Sequence, residues 1–122
     1  MKGLCLWIAI GLLAAIPMAA RAQYEEVIHE KPVRLRHLAG KIVDPKGLIV
    51  PYAYIELRSA ADHHVLATSF ADGYGKFAFA YRKFGEALEI RVSMKNFDPV
   101  QYNVVLHRIG FEELKVVLPV AT

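Results

Sequence analysis

Leu38-Ala-Gly-Lys-Ile-Val-Asp-Pro-Lys-Gly-Leu-Ile-Val-Pro-Tyr-Ala-Tyr-Ile-Glu-Leu57 is the stretch whose reading decides the fold. It predicts two short strands, Ala39 to Val43 and Tyr52 to Leu57. Asp44, Pro45 and Gly47 supply a turn between them, with glycine free to take positive φ. Pro51 opens the second strand, where a missing N–H costs no ladder bond. Ala53 is small where an opposing sheet would come close.

Outward from this pair, turn signals recur at Ala60-Ala61-Asp62, Asp72-Gly73-Tyr74-Gly75, Lys83-Phe84-Gly85-Glu86, Asn96-Phe97-Asp98-Pro99 and Arg108-Ile109-Gly110. The runs between them alternate with period two. Ile55 and Leu57 share a face, as do Phe77, Phe79 and Tyr81. The same holds for Leu88, Ile90, Val92 and Met94, for Tyr102, Val104 and Leu106, and for Leu114, Val116 and Leu118. Such runs give one core face and one wet face. About seven short strands at this spacing predict an all-β, antiparallel Greek-key β-sandwich. The expected core is Ile42, Ala53, Ile55, Leu57, Leu66, Phe77, Phe79, Leu88, Ile90, Val92, Leu106 and Val116.

Ahead of the sandwich, residues 1–22 read as a signal peptide. Lys2 gives the positive start, Leu4 to Ile16 the apolar core, and Ala20-Arg21-Ala22 the small residues of a cleavage site after Ala22. The apolar run is shorter than the roughly 20 residues that span a bilayer, so cleavage is preferred to a retained anchor. The expected location is therefore exported, periplasmic or extracellular, with no stable membrane insertion after cleavage. Cys5 is the only cysteine and lies within this segment, so the exported part relies on its core and not on disulfides. The full chain carries 15 basic and 12 acidic residues; loss of Lys2 and Arg21 leaves 13 against 12, a net of +1. No broad basic field remains to attract nucleic acid. Residues 23–36 read as a polar N-terminal arm, for which two readings stay open: an extended docking segment, or a strand added at the sheet edge. Residues 37–122 form the domain.

The pattern Gly40-x-Ile42-x-Asp44-x-x-Gly47, then Val50-Pro51-x-Ala53-x-Ile55-x-Leu57, resembles the start of a carboxypeptidase regulatory-like domain, a transthyretin-like (prealbumin-like) sandwich. Thr68, then Asp72-Gly73-Tyr74-Gly75-Lys76-Phe77-Ala78-Phe79, continues it, and Asn96-Phe97 stands where the family often has Gly-Tyr or Gly-Phe. The resemblance covers about Leu38 to Leu118. It implies a non-catalytic accessory module with Gly40, Asp44, Gly47, Pro51, Asp72 and Gly75 as fold-specifying turn residues.

Sites are sparse. His63-His64 lacks a converging third ligand for a metal, and neither Asp44 nor Asp72 has the extra carboxylates calcium needs. Ser59, Ser69 and Ser93 lack a nucleophile elbow. The chain end, Leu118-Pro119-Val120-Ala121-Thr122, lacks the Tyr-Arg-Gly-Ser signature of the hydroxyisourate hydrolases that share the transthyretin-like fold. No cofactor is expected. Tyr54, Tyr74 and Phe84 are the candidate ligand-binding aromatics, for an envelope or extracellular protein or, alternatively, for a glycan.

Overall fold

A computed structural model describes residues 25–121. The described residues are all-β, with eight strands in two sheets. In chain order they are β1 (Val27–Leu35), β2 (Ala39–Val43), β3 (Tyr54–Ser59), β4 (Val65–Phe70), β5 (Lys76–Ala78), β6 (Ala87–Ser93), β7 (Val100–Leu106) and β8 (Leu114–Val117). Five strands form one sheet in the order β1-β7-β6-β3-β4, and three form the other in the order β5-β2-β8. This is a β-sandwich. The segment read as a signal peptide lies outside the described residues.

Alternation builds the core. Ile55 and Leu57 of β3 stand opposite Val92 and Ile90 of β6, and Leu88 of β6 stands opposite Val104 of β7. All six are buried, together with Ile42, Ala53, Phe77, Leu106 and Val116. Leu66 and Phe79 are only partly buried and pack on the margin. Burying a side chain of this size contributes about 1.5–3 kcal/mol, so these strand faces carry most of the driving force for closing the sandwich.

Four differences from the sequence reading have clear physical causes. There is an eighth strand, because residues 27–35 join the large sheet beside β7; of the two readings left open for residues 23–36, the strand added at the sheet edge is the one observed. Leu35 anchors them, fully buried. The sheets are mixed and not purely antiparallel: β1 runs parallel to β7, and β2 parallel to β8. Next, Tyr52 lies in a turn with φ +63 and β3 begins at Tyr54. Pro51 therefore sits in a turn with Tyr52 instead of opening a strand. Last, β5 ends at Ala78, so Tyr81 does not share the buried face of Phe77 and is 70% exposed.

Gly40 and Gly75 stand where a side chain has no room. A Cβ on Gly40 would sit 2.5 Å from the Phe77 ring and 2.8 Å from the Leu114 carbonyl. At Gly75, φ is +74 and a Cβ would lie 2.8 Å from the Ile42 carbonyl oxygen. Asp72 closes the same turn, accepting from the Tyr74 N–H at 2.8 Å and the Lys76 N–H at 3.0 Å. Asp44 does likewise for Lys46 and Leu48, both at 2.9 Å, ahead of Gly47 at φ +87. Pro51 is half-buried beside it.

Candidate functional site

The outer face of the five-stranded sheet divides into a charged middle and an aromatic end. Because Ile55 and Leu57 face the core, Tyr54, Glu56 and Arg58 face outward. Arg58 donates to Glu56 at 2.6 Å, and Arg91 donates to Glu26 at 2.8 Å. Glu89 is buried on this face, its carboxylate 2.8 Å from Nδ1 of His63.

At the aromatic end, Tyr54 stands opposite Phe70 of β4 in the antiparallel register. Their ring centroids lie 5.4 Å apart at an interplanar angle of 50°. The turn after β6 brings up Met94, Lys95 and Phe97. Asn96 takes φ +74, which lets the Phe97 N–H donate to the Met94 carbonyl at 3.1 Å. Asn tolerates this left-handed region because its short side chain can hydrogen-bond locally. The result is a groove of 380 Å³ whose aromatic walls are Tyr52, Tyr54, Phe70 and Phe97, with Met94 and Lys95 alongside. Tyr52 and Phe70 are 64% and 68% exposed. Exposed apolar side chains gathered in one place mark interaction sites, whereas scattered ones do not.

The three aromatics singled out from sequence do not converge. Tyr54 lines the groove. Tyr74 lies in the adjoining β4–β5 turn, 72% exposed, and is not part of the groove wall. Phe84 belongs to the other end of the sandwich: Gly85 donates to the Leu106 carbonyl, and β6 separates Phe84 from Ser93 by its full length, roughly 20 Å at about 3.3 Å per residue. There it packs edge-on against Tyr81, 5.7 Å away. Sequence reading missed Phe70, although a hairpin joining β3 to β4 fixes the register that sets it opposite Tyr54.

A second concavity of 630 Å³ lies along β1, lined by His29, Lys31, Pro32, Val33, Arg34, Tyr102 and Phe111. Its aromatic floor is already covered, because His29 stacks on Tyr102 with centroids 4.3 Å apart and planes 8° from parallel. The Tyr102 hydroxyl accepts the Val117 N–H at 3.3 Å, and burial pushes its phenol pKa up. This concavity therefore has less free binding chemistry than the aromatic groove.

His63 and His64 diverge, one to Glu89 and the other to Asp62. Among the described residues no group of three or more His, Cys, Asp or Glu side chains is placed to hold a metal. The fold is a β-sandwich with an exposed aromatic groove at one end. No protein-family model matches the chain, and none of the curated proteins matches it.

Proposed function

We propose that this chain is a non-catalytic interaction module of the carboxypeptidase regulatory-like type, exported to the cell envelope or beyond, where it binds another protein. The observation that carries this reading is the aromatic groove of Tyr52, Tyr54, Phe70 and Phe97. Tyr52 adds weight. A tyrosine at φ +63 is held against a cost of order 1–3 kcal/mol, and its ring is presented to solvent. Such strain persists where the surrounding structure fixes it, and sites of recognition are common among such places. The Gly40, Asp44, Gly47, Asp72 and Gly75 pattern supports the family assignment, since each of these residues has a turn or close-approach role.

A second reading is a small carbohydrate-binding module, favoured by two largely exposed flat rings, Tyr52 and Phe70, beside a polar Lys95. One pair of measurements separates the readings from each other. In the first, immobilised wild-type protein retains a specific envelope protein that Tyr52→Ala releases, with the far-ultraviolet circular dichroism unchanged. In the second, a glycan array gives signal that the same substitution abolishes. Protein capture indifferent to Tyr52→Ala would overturn the groove as the binding surface. Turnover of hydroxyisourate by the purified protein would overturn the non-catalytic reading.

A further inference from the structure

The free edges of the two sheets are not alike, and one of them has an occupant written into its geometry. Native edge strands are blunted by charge, proline, bulges or covering loops, because a row of unpaired N–H and C=O groups templates further strand pairing. Three edges here carry such devices. β1 has Pro32, Lys31 and a register break between His29 and Val33. Its far end is also covered by Phe111, whose N–H donates to the Arg34 carbonyl while its carbonyl accepts the Arg36 N–H. β8 is four residues long, and its Val117 N–H is taken by the Tyr102 hydroxyl. β5 is three residues long, and its Lys76 carbonyl accepts the Asp72 N–H.

β4 has neither charge nor proline: Val65-Leu66-Ala67-Thr68-Ser69-Phe70. A bulge interrupts its pairing with β3 near Val65, and from Ala67 to Phe70 the register is regular. Ala71 donates to the Ala53 carbonyl, and Ser69 and Ala67 stand opposite Ile55 and Leu57. Bonded pairs alternate along an antiparallel ladder, so these three residues direct their backbone groups to β3. Thr68 and Phe70 turn theirs outward. Among the described residues nothing accepts the N–H of either, and the one bond into that edge is the Ser69 hydroxyl on the Phe70 carbonyl at 3.4 Å.

We propose that β4 pairs antiparallel with β4 of a second copy of this chain, joining two five-stranded sheets into one. A two-fold axis at Ser69 exchanges Thr68 and Phe70, so the outward N–H and C=O groups of each meet their complements in the other copy. Ser69 then faces Ser69 of the other copy in the intervening non-bonded pair, with Cα atoms about 4.5 Å apart. On the outer face Phe70 lies beside the other copy's Thr68, an aromatic with β-branched pairing of the favourable kind. Neutrality selects a second copy as the occupant. With no charge on β4, no self-pairing about a two-fold can set like charges against each other, whereas β1 carries Glu30, Lys31 and Arg34. Each chain has one such edge, so association closes at two copies and does not propagate.

Two four-residue edges meeting would bury less than the ~1,600 Å² of a standard complex, so the dimer is expected to dissociate at on the order of 10–100 µM. Sedimentation of the full chain from about 1 to about 500 µM, spanning that range, should show the mass doubling. Thr68→Lys should keep it monomeric throughout. In a Cys5→Ser background, Ser69→Cys should form a disulfide-linked dimer on mild oxidation, because a non-bonded antiparallel pair has the Cα spacing a disulfide needs. His29→Cys on the guarded edge should not. A wild type monomeric across the series would overturn the proposal. So would equal cross-linking from Cys at 69 and Cys at 29, or a monomer that instead adds an extended peptide along β4. The groove and the proposed seam share Phe70, and the two variants tell them apart: Tyr52→Ala removes groove binding and leaves the dimer, whereas Thr68→Lys does the reverse.

Discussion

β1 and β4 close the same sheet on opposite sides, and they solve the problem of an open edge in opposite ways. β1 reads Val-Ile-His-Glu-Lys-Pro-Val-Arg-Leu, mostly polar, broken by proline and a register shift. β4 reads Val-Leu-Ala-Thr-Ser-Phe, neutral throughout. β1 is guarded, and only Leu35 and the half-buried Val27 and Val33 tie it to the core. β4 is joined to β3 by a short hairpin and has no need of such anchors, which leaves its outward groups available. The contrast teaches that polarity in a strand can reflect edge protection as much as solvent exposure of a face.

The comparison can be broken most severely at the guarded edge. Leu35→Ala removes the fully buried side chain that seats the end of β1. It should cost about 2–5 kcal/mol in urea unfolding, and amide exchange along β7 should accelerate. Next comes Gly110→Ala, whose Cβ would lie 2.6 Å from the Arg34 carbonyl oxygen. Backbone cannot yield as a side chain would, so the Phe111 cover should lift at a cost of about 1–3 kcal/mol, with the Arg36 amide losing protection from exchange. A third variant, Lys31→Thr with Pro32→Val, strips two guards from β1 without touching the core. Its stability should change by no more than about 0.5 kcal/mol, while sedimentation should reveal association beyond the dimer. If it does not, the register break and Phe111 suffice as guards.

The smallest effect is expected at the turn that ends β4. Hydrogen bonds from the Lys76 and Tyr74 N–H groups hold the Asp72 carboxyl below its usual pKa. A depressed folded-state pKa means stability that is fully present above the ordinary carboxylate range and is lost as pH falls through the folded value. Asp72→Asn keeps an oxygen acceptor and loses the charge. Thermal melts from pH 7 down to about 2, a range that brackets the ordinary carboxylate pKa, should show a small loss at neutral pH and a shallower acid decline than wild type. An unchanged decline would place the acid sensitivity on Asp62 and Glu86, which are lowered by His64 and Arg82 respectively.

Much of this architecture is legible in the sequence. Ile55/Leu57, Leu88/Ile90/Val92 and Leu114/Val116 announce their strands because alternation is a local property, set by successive residues pointing to opposite faces. The same local rule misplaced Tyr52, since Pro51 and Tyr52 continue the alternation in type while the backbone turns there. It also carried Tyr81 onto a face that ends at Phe79. The candidate site was less legible. Tyr54 was visible as an aromatic on a wet face, but its partners Phe70 and Phe97 come from β4 and the β6–β7 turn, 16 and 43 positions further along the chain. Phe84 looked equivalent to Tyr74 because both follow turn residues, and only strand length separates them to opposite ends.

By itself the sequence determined that this protein is an all-β sandwich, where most strands lie, and which residues tighten its turns. These depend on side-chain alternation and on backbone preferences within a few residues. Tertiary structure alone decided that residues 27–35 pair in parallel with β7, that Tyr52, Tyr54, Phe70 and Phe97 share a groove, and that β4 stands unguarded at an edge. Those depend on which distant strands meet, and backbone N–H and C=O groups are chemically the same in every strand until their neighbours are chosen.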